Sequence, residues 1–286
     1  MTIKLDGKEL SFKLRENLKK RVIKLKKQGI VPCLAVILVG NDPASQIYIK
    51  SKKKVALKLG IKTLDEVLPA NISQARVIRL IHKLNHDPHV HGILIQLPLP
   101  STLNEQQVIQ AIDPTKDVDG FHPENLGKLF VNEGDLIPCT ARGIMTLLTS
   151  YHIDLESKSV LIIGRSRIVG IPMTALMINK DATVTIAHSY TSNLKCLTRN
   201  ADIIIVAVGK AKFLKGKDFN QKAVVVDVGT NRTLTGKLVG DVDEQTTNGK
   251  VAYLSPVPGG VGPMTITMLM TQTVEIAERS VHNDSK

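Results

Sequence analysis

Apolar positions along the chain follow two intervals, one helical and one of strands buried on both faces. Across residues 9–28, Leu10, Leu14, Leu18, Val22 and Leu25 fall on one helical stripe with polar residues between them. The run 29–40, "GIVPCLAVILVG", loses that period and reads as a buried strand reaching Gly40. Residues 61–69, "IKTLDEVLP", predict a second strand, and 90–100, "VHGILIQLPLP", a third, ended by Pro98 and Pro100. Between them, 73–87 predicts a helix with Ser73 as its N-cap. Residues 101–140 are loop-rich, with Pro, Gly and Asp at close spacing. A helix from about Ala141 to Tyr151 opens a second series, whose strands read "SVLIIG", "ATVTIAH", "ADIIIVAVG" and "AVVVDVG". After the Pro/Gly loop "SPVPGGVGPMT", a last helix over 266–279 is apolar on two sides, which suits docking against other elements. Strands alternating with helices in this way predict two α/β lobes and a mostly parallel sheet.

One helix carries an anomaly. Residues 46–60, "QIYIKSKKKVALKLG", hold lysines at 50, 52, 53, 54 and 58. At roughly 100° per residue, with Tyr48 at zero, Lys52 falls near 40°, Leu59 near 20°, Val55 near −20° and Ala56 near 80°. The other four lysines fall at roughly 140° to 280°, on the solvated side. Lys52 alone shares a stripe with Tyr48 and the apolar residues. A half-buried lysine is costly unless it has a partner or a task, so Lys52 is the first candidate for chemistry.

Composition narrows the class. At 286 residues and 43% hydrophobic content the chain fits a folded protein of one large or two ordinary domains. No apolar run approaches membrane-spanning length, and "MTIKLDGKEL" lacks the apolar core of a signal peptide, so no membrane association is expected. Cys33, Cys139 and Cys196 form neither a zinc spacing nor a disulfide frame, which suits a reducing cytoplasm. Cys139, Met264, Met268 and Met270 read as packing residues. His82 and His86 share a helical face but lack a third ligand nearby in sequence, so no metal is expected. The net charge of +12 favours anionic partners. Dispersed lysines and few aromatic residues argue against nucleic acid as that partner.

Two places carry candidate chemistry. "SVLIIGRSRIVGIPMTALMI" is a strand, a tight turn and a helix, either an ordinary βα turn or a variant dinucleotide turn. Ser166 stands where a second glycine is usual, and the third glycine comes one place late, at Gly170. The next strand ends at "TIAHSYT", without the carboxylate that holds an NAD ribose; Arg165, Arg167, His188 and Ser189 suit the 2′-phosphate of NADP instead. In the first lobe Gln96 interrupts an apolar strand just before its proline stop. It is either a backbone-satisfied amide or a ligand at the carboxyl end of a sheet. Asp117 and Asp119, in Asp-x-Asp-Gly, are either turn formers or ligands.

Several long segments, "VGNDPASQIYIKSKKK", "GILIQLPLP", "DPTKDVDGFHPENLGKL", "PCTARGI", "IGRSRIVGIPM", "VDVGTNR", "VGDV" and "PVPGGVGPMT", resemble the bacterial FolD family. These are bifunctional methylenetetrahydrofolate dehydrogenase/methenyltetrahydrofolate cyclohydrolases. The resemblance runs almost end to end. It implies an N-terminal α/β folate-binding catalytic domain (1–139 with 265–286) and a Rossmann-like NADP-binding domain (140–264). It also implies a folate cleft between the lobes, a closing helix packed back on the first lobe, and a homodimer. By motif position, Tyr48 would stack on the folate ring system, Lys52 would be the catalytic lysine, Gln96 would tune and position it, and Asp119 would grip the pterin. Gly164, Arg165, Ser166, Ser189 and Thr230 would line the NADP site, and Pro258, Gly259 and Gly260 would border the substrate. The implied substrates are tetrahydrofolate one-carbon derivatives, with a polyglutamate tail that the basic surface would favour.

The residue types suit that chemistry. Hydride loss from 5,10-methylenetetrahydrofolate leaves a resonance-stabilised methenyl cation and needs mainly orientation. Hydrolysis to 10-formyltetrahydrofolate needs water to attack and a proton to be moved. An amine does that near neutrality only where its ammonium form is disfavoured, and a neutral glutamine neighbour, unlike a carboxylate, does not favour ammonium. Four positions depart from the family pattern: Ala141 for proline, Ile171 and Tyr190 for cations near the cofactor, and Thr230 for an aliphatic residue. Two alternatives remain at this level: another two-domain NADP dehydrogenase of the shikimate type, against which "QLPLP" and "PGGVGPMT" argue, and a non-enzymatic basic binding module.

Overall fold

The computed structural model describes residues 1–233 and 235–283. In chain order these form β1 (Ile3–Lys4), α1 (Gly7–Lys27), β2 (Cys33–Val39), α2 (Pro43–Leu59), β3 (Lys62–Leu68), α3 (Gln74–His86) and β4 (Gly92–Ile95). There follow α4 (Glu105–Gln110), α5 (Pro123–Phe130), α6 (Cys139–Ser150), β5 (Ser159–Ile163), α7 (Gly170–Ile178), β6 (Thr183–Ala187), α8 (Leu194–Asn200), β7 (Ile203–Val206) and β8 (Val224–Asp227). The chain closes with β9 (Asn231–Arg232), β10 (Leu238–Val239), α9 (Glu244–Thr247), β11 (Tyr253–Leu254) and α10 (Val261–Asn283). They belong to two compact units, one of residues 13–127, 134–137 and 266–286, the other of 1–12, 128–133 and 138–265. Among the described residues no helix is long and apolar enough to cross a membrane.

The first unit is built on a parallel sheet of order β3-β2-β4. Every residue of the central strand β2 is buried, as its unbroken apolar run requires. At the edge, β3 alternates between exposed and half-buried positions. Ile37, Ile93 and Ile81 meet in a core that extends to Val108 and Ile112. The long closing helix joins this unit through Gln272, which is fully buried. Its Nε2 donates to the Val118 carbonyl at 2.6 Å, and its Oε1 accepts from the Ile137 N–H at 2.9 Å. Arg21 of α1 reaches Glu278 through two nitrogens, one at 2.6 Å. The expected docking of the closing helix on the first lobe is therefore met, but α10 starts five residues earlier than its apolar pattern, inside the Pro/Gly loop.

The second unit holds a six-stranded sheet of order β1-β11-β8-β7-β5-β6, parallel throughout. Its central strands bury Leu161, Ile162, Ile204, Ile205, Val225 and Val226 almost completely. Because β6 flanks β5 on one side and β7 on the other, the strand order reverses between β5 and β7. A doubly wound sheet of this kind binds ligands outside the carboxyl ends of its strands at that reversal. Ile3 and Lys4 pair with Tyr253 and Leu254, and residues 1–12 group with this compact unit. A two-residue edge strand has no periodicity for sequence reading to find.

Candidate active site

Helix α2 positions the lysine. The Asp42 carboxylate caps its start by accepting from the Ser45 N–H at 2.7 Å, Pro43 opens the first turn, and Gly60 ends it at φ 79°. Lys50, Lys53, Lys54 and Lys58 are exposed and Lys52 is half-buried, as the helical wheel requires. Ala56 and Leu59 are buried beside it, whereas Tyr48, one turn earlier, is 44% exposed. The stripe thus runs from buried to open, leaving an aromatic face available for stacking.

The Lys52 Nζ donates to Gln96 Oε1 at 3.0 Å. Gln96 directly follows β4; its N–H continues the ladder to the Ile37 carbonyl at 2.9 Å, and its Nε2 donates to the Leu97 carbonyl at 2.8 Å. That second bond fixes the amide so that its oxygen faces the lysine. The backbone-satisfied reading of Gln96 is met, and the same amide also accepts from Lys52.

The two aspartates differ in burial. Asp117 is buried and forms the turn: it accepts from the Gly120 N–H at 3.1 Å, the His122 N–H at 2.8 Å and Asn125 Nδ2 at 3.0 Å. Burial pushes its carboxyl above the ordinary range against those hydrogen bonds. Asp119 is half-buried, and both aspartates line a small hollow with Ile93, Ile95, Leu97 and Phe121. Lys52 and Gln96 thus meet at the carboxyl end of β4.

The nucleotide candidates lie in the other unit, at the carboxyl ends of β5, β6 and β8. Gly164 adopts φ 125°, and a Cβ there would sit 2.3 Å from the Ala207 carbonyl oxygen, so this turn takes no other residue. A Cβ on Gly170 would come 2.1 Å from the Gly164 oxygen, so the late glycine still permits the close helix–strand approach of a dinucleotide turn. Ser166 braces the entry to α7, its Oγ accepting from the Val169 N–H at 3.2 Å and its carbonyl from the Ile171 N–H at 3.0 Å. Arg165, Arg167, Ser189 and Thr230 are exposed. Tyr190, read in the sequence as the loss of a cation, instead supports one: the Arg165 guanidinium lies 5.8 Å from its ring centroid, and His188 meets the same ring edge-on. The close approach at Gly164, the start of α7 and the exposed guanidinium groups fit a phosphorylated dinucleotide.

The loop Pro258–Gly260 follows β11 in this same unit. The Gly259 carbonyl accepts from the Lys8 N–H at 2.8 Å, and the Gly260 N–H donates to the Pro256 carbonyl at 2.8 Å. Two further residues had no signal beyond their place in "VDVGTNR" and "VGDV": Asp227 and Asp241, both buried in this unit. Met264, Met268 and Met270 are core residues, as read. The His86 ring lies 2.7 Å from its own helix's His82 carbonyl.

Comparison with known proteins bears on the whole chain. Residues 5–119 match the family model "Tetrahydrofolate dehydrogenase/cyclohydrolase, catalytic domain", and residues 138–281 match "Tetrahydrofolate dehydrogenase/cyclohydrolase, NAD(P)-binding domain". The "Bifunctional protein FolD" of Ligilactobacillus salivarius is 56% identical, over 97% of each chain. The crystal structure of the bifunctional FolD enzyme from Campylobacter jejuni superposes with a TM-score of 0.96 at 49% identity, covering 98% of this chain and 99% of that one. A Trypanosoma brucei FolD structure complexed with NADP cofactor and inhibitor superposes at 0.94 with 34% identity, covering 98% of each. Shikimate dehydrogenase from Aquifex aeolicus, at 12% identity and a TM-score of 0.54, shares the fold alone. With both family models matched and relatives similar over nearly the full length, the chain belongs to the tetrahydrofolate dehydrogenase/cyclohydrolase family.

Proposed function

We propose that this chain carries out both reactions of its family with Lys52 as the residue that moves the proton. The enzyme oxidises 5,10-methylenetetrahydrofolate to the methenyl compound with NADP, then hydrolyses that product to 10-formyltetrahydrofolate. The observation that carries the assignment is the 3.0 Å hydrogen bond from Lys52 to a Gln96 amide whose other end is held by Leu97. In the dehydrogenase step the residues mainly orient. Tyr48 stacks on the folate ring system and Asp119 accepts hydrogen bonds from the pterin. Gly164, Arg165, Ser166, Ser189 and Thr230 hold NADP, and Pro258, Gly259 and Gly260 border the substrate. When bound, NADP supplies the hydride acceptor. In the hydrolytic step Lys52 Nζ exchanges a proton with the attacking water or the opening ring nitrogen, and Gln96 Oε1 keeps that nitrogen aimed without adding a charge that favours ammonium.

Residues 13–127 with the closing helix supply the folate side, and 138–265 the NADP side. The protein acts in the cytoplasm as a homodimer, a state that sedimentation equilibrium tests; a monomer mass would overturn it. The basic surface favours substrates with polyglutamate tails, which should show a lower KM than the monoglutamate. The assay that tests the central assignment follows methenyl absorbance with 5,10-methylenetetrahydrofolate and NADP. Wild type should form and clear the methenyl compound, whereas Lys52→Met should clear it about 10²–10⁴-fold more slowly. A Lys52→Met enzyme with full cyclohydrolase activity would remove Lys52 from the mechanism.

A further inference from the structure

We infer that Asp241 is a positioning residue of the NADP site, setting the loop after β7 through its backbone. The inference rests on the NADP reading above. Asp241 is fully buried, and its carboxyl collects four uncharged donors. Oδ2 accepts from the Val208 N–H at 2.7 Å and the Gly209 N–H at 2.9 Å. Oδ1 accepts from the Lys210 N–H at 2.8 Å and Asn231 Nδ2 at 2.9 Å. Three consecutive backbone N–H groups converging on one acid make a concave anion nest whose anion is the protein's own side chain.

The place of that nest gives it a role. Val208–Lys210 directly follow β7, and Ala207 at their head is the residue whose carbonyl Gly164 approaches, so this loop faces the dinucleotide turn across the point where the strand order reverses. The same carboxyl lies under the next candidate segment. A Cβ on Gly229 would sit 2.4 Å from Asp241 Oδ1, and Thr230 follows directly.

Asp241 is itself held in place. Asp227, at the end of β8, accepts from the Gly229 and Asp241 N–H groups, each at 2.9 Å, and from the Val242 N–H at 2.8 Å. Two stacked acids therefore join the ends of β7 and β8. A buried acid is costly, and apolar packing would close loops more cheaply if closure were all that was needed. What backbone-directed hydrogen bonds add is a fixed direction for the loop that borders the bound nucleotide.

Full-length Asp241→Asn provides the test, because the asparagine keeps the size and one acceptor oxygen while turning an N–H₂ toward backbone donors. The readouts are KM for NADP and kcat of the dehydrogenase, together with cyclohydrolase turnover of methenyltetrahydrofolate supplied directly without NADP. The expected result is a rise in KM for NADP of about 10- to 100-fold, with kcat at saturating NADP and cyclohydrolase activity within about threefold of wild type. An unchanged KM would overturn the inference, and so would a parallel loss of both activities, which marks a role in folding alone. If Asp241→Asn does not fold, Asn231→Ala, which removes one donor and leaves the three N–H bonds, should raise KM for NADP by about two- to fivefold; no rise would overturn the inference. Failure of the NADP reading itself would be seen in wild type, as absence of NADP-dependent turnover.

Discussion

At the scale of single residues the site turns on an amide doing what a carboxylate would not. Gln96 accepts from Lys52 with its oxygen and gives its N–H₂ to the Leu97 carbonyl. A glutamate at 96 would hold the lysine as ammonium by charge and leave the Leu97 carbonyl without that donor. Gln96→Glu should therefore slow clearance of the methenyl compound by about 10²-fold while the NADP-dependent step suffers less. Equal slowing of both steps would show that the neutrality of residue 96 is not what matters. Tyr190 makes a related point about reading by analogy. It stands where a cation is frequent, yet its ring lies beneath the Arg165 guanidinium.

At the scale of elements, α2 is the device that delivers Lys52 to Gln96 at the end of β4. Its start is set by one side-chain bond, from the Ser45 N–H to Asp42. Asp42→Ala should lower stability by about 1 kcal/mol, read as a shift in urea midpoint with little change in the cooperativity of unfolding. An unchanged midpoint would mean that packing of Ala56 and Leu59 alone fixes the helix. The turn into α7 shows a different economy. Its glycines are placed for backbone clearance rather than motif spacing, since both Gly164 and Gly170 lie where a Cβ would strike a carbonyl oxygen. That is why a pattern one residue out of register still builds a dinucleotide turn.

At the scale of the whole molecule, buried acids tie stability to pH. Burial pushes the Asp227 carboxyl from its ordinary 3.8 up to about 7, with the charge of Asp241 adding to the rise and its backbone hydrogen bonds opposing it. In the unfolded chain this proton leaves near pH 4, but in the folded chain it stays until about pH 7. Across that window the folded state binds more protons, so this group's contribution is complete below about pH 4, falls as pH rises, and is flat above about 7. The slope from this residue is at most about 1.4 kcal/mol per pH unit. Urea midpoints between pH 4.5 and 8 should fall more steeply for wild type than for Asp227→Asn. Parallel curves would show that Asp227 ionises in the folded protein as it does in the unfolded one.

Much of this was legible in the order of residues. Periodicity alone marked β2 as buried on both sides, put four lysines of α2 in solvent with Lys52 apart from them, and marked four strands of the second lobe, because these features depend on neighbours three or four places away or on continuous apolar runs. What the sequence could not determine depends on residues far apart in the chain. The pairing of β1 with β11, some 250 residues apart, has no local signal in the sequence. The direction of the Gln96 amide, the turn bonds of Asp117, and the stacking of Asp227 beneath Asp241 were decided only in three dimensions. Each is a choice of hydrogen-bond partner, and a buried polar group takes its partner from whatever the fold brings near, not from its neighbours in sequence.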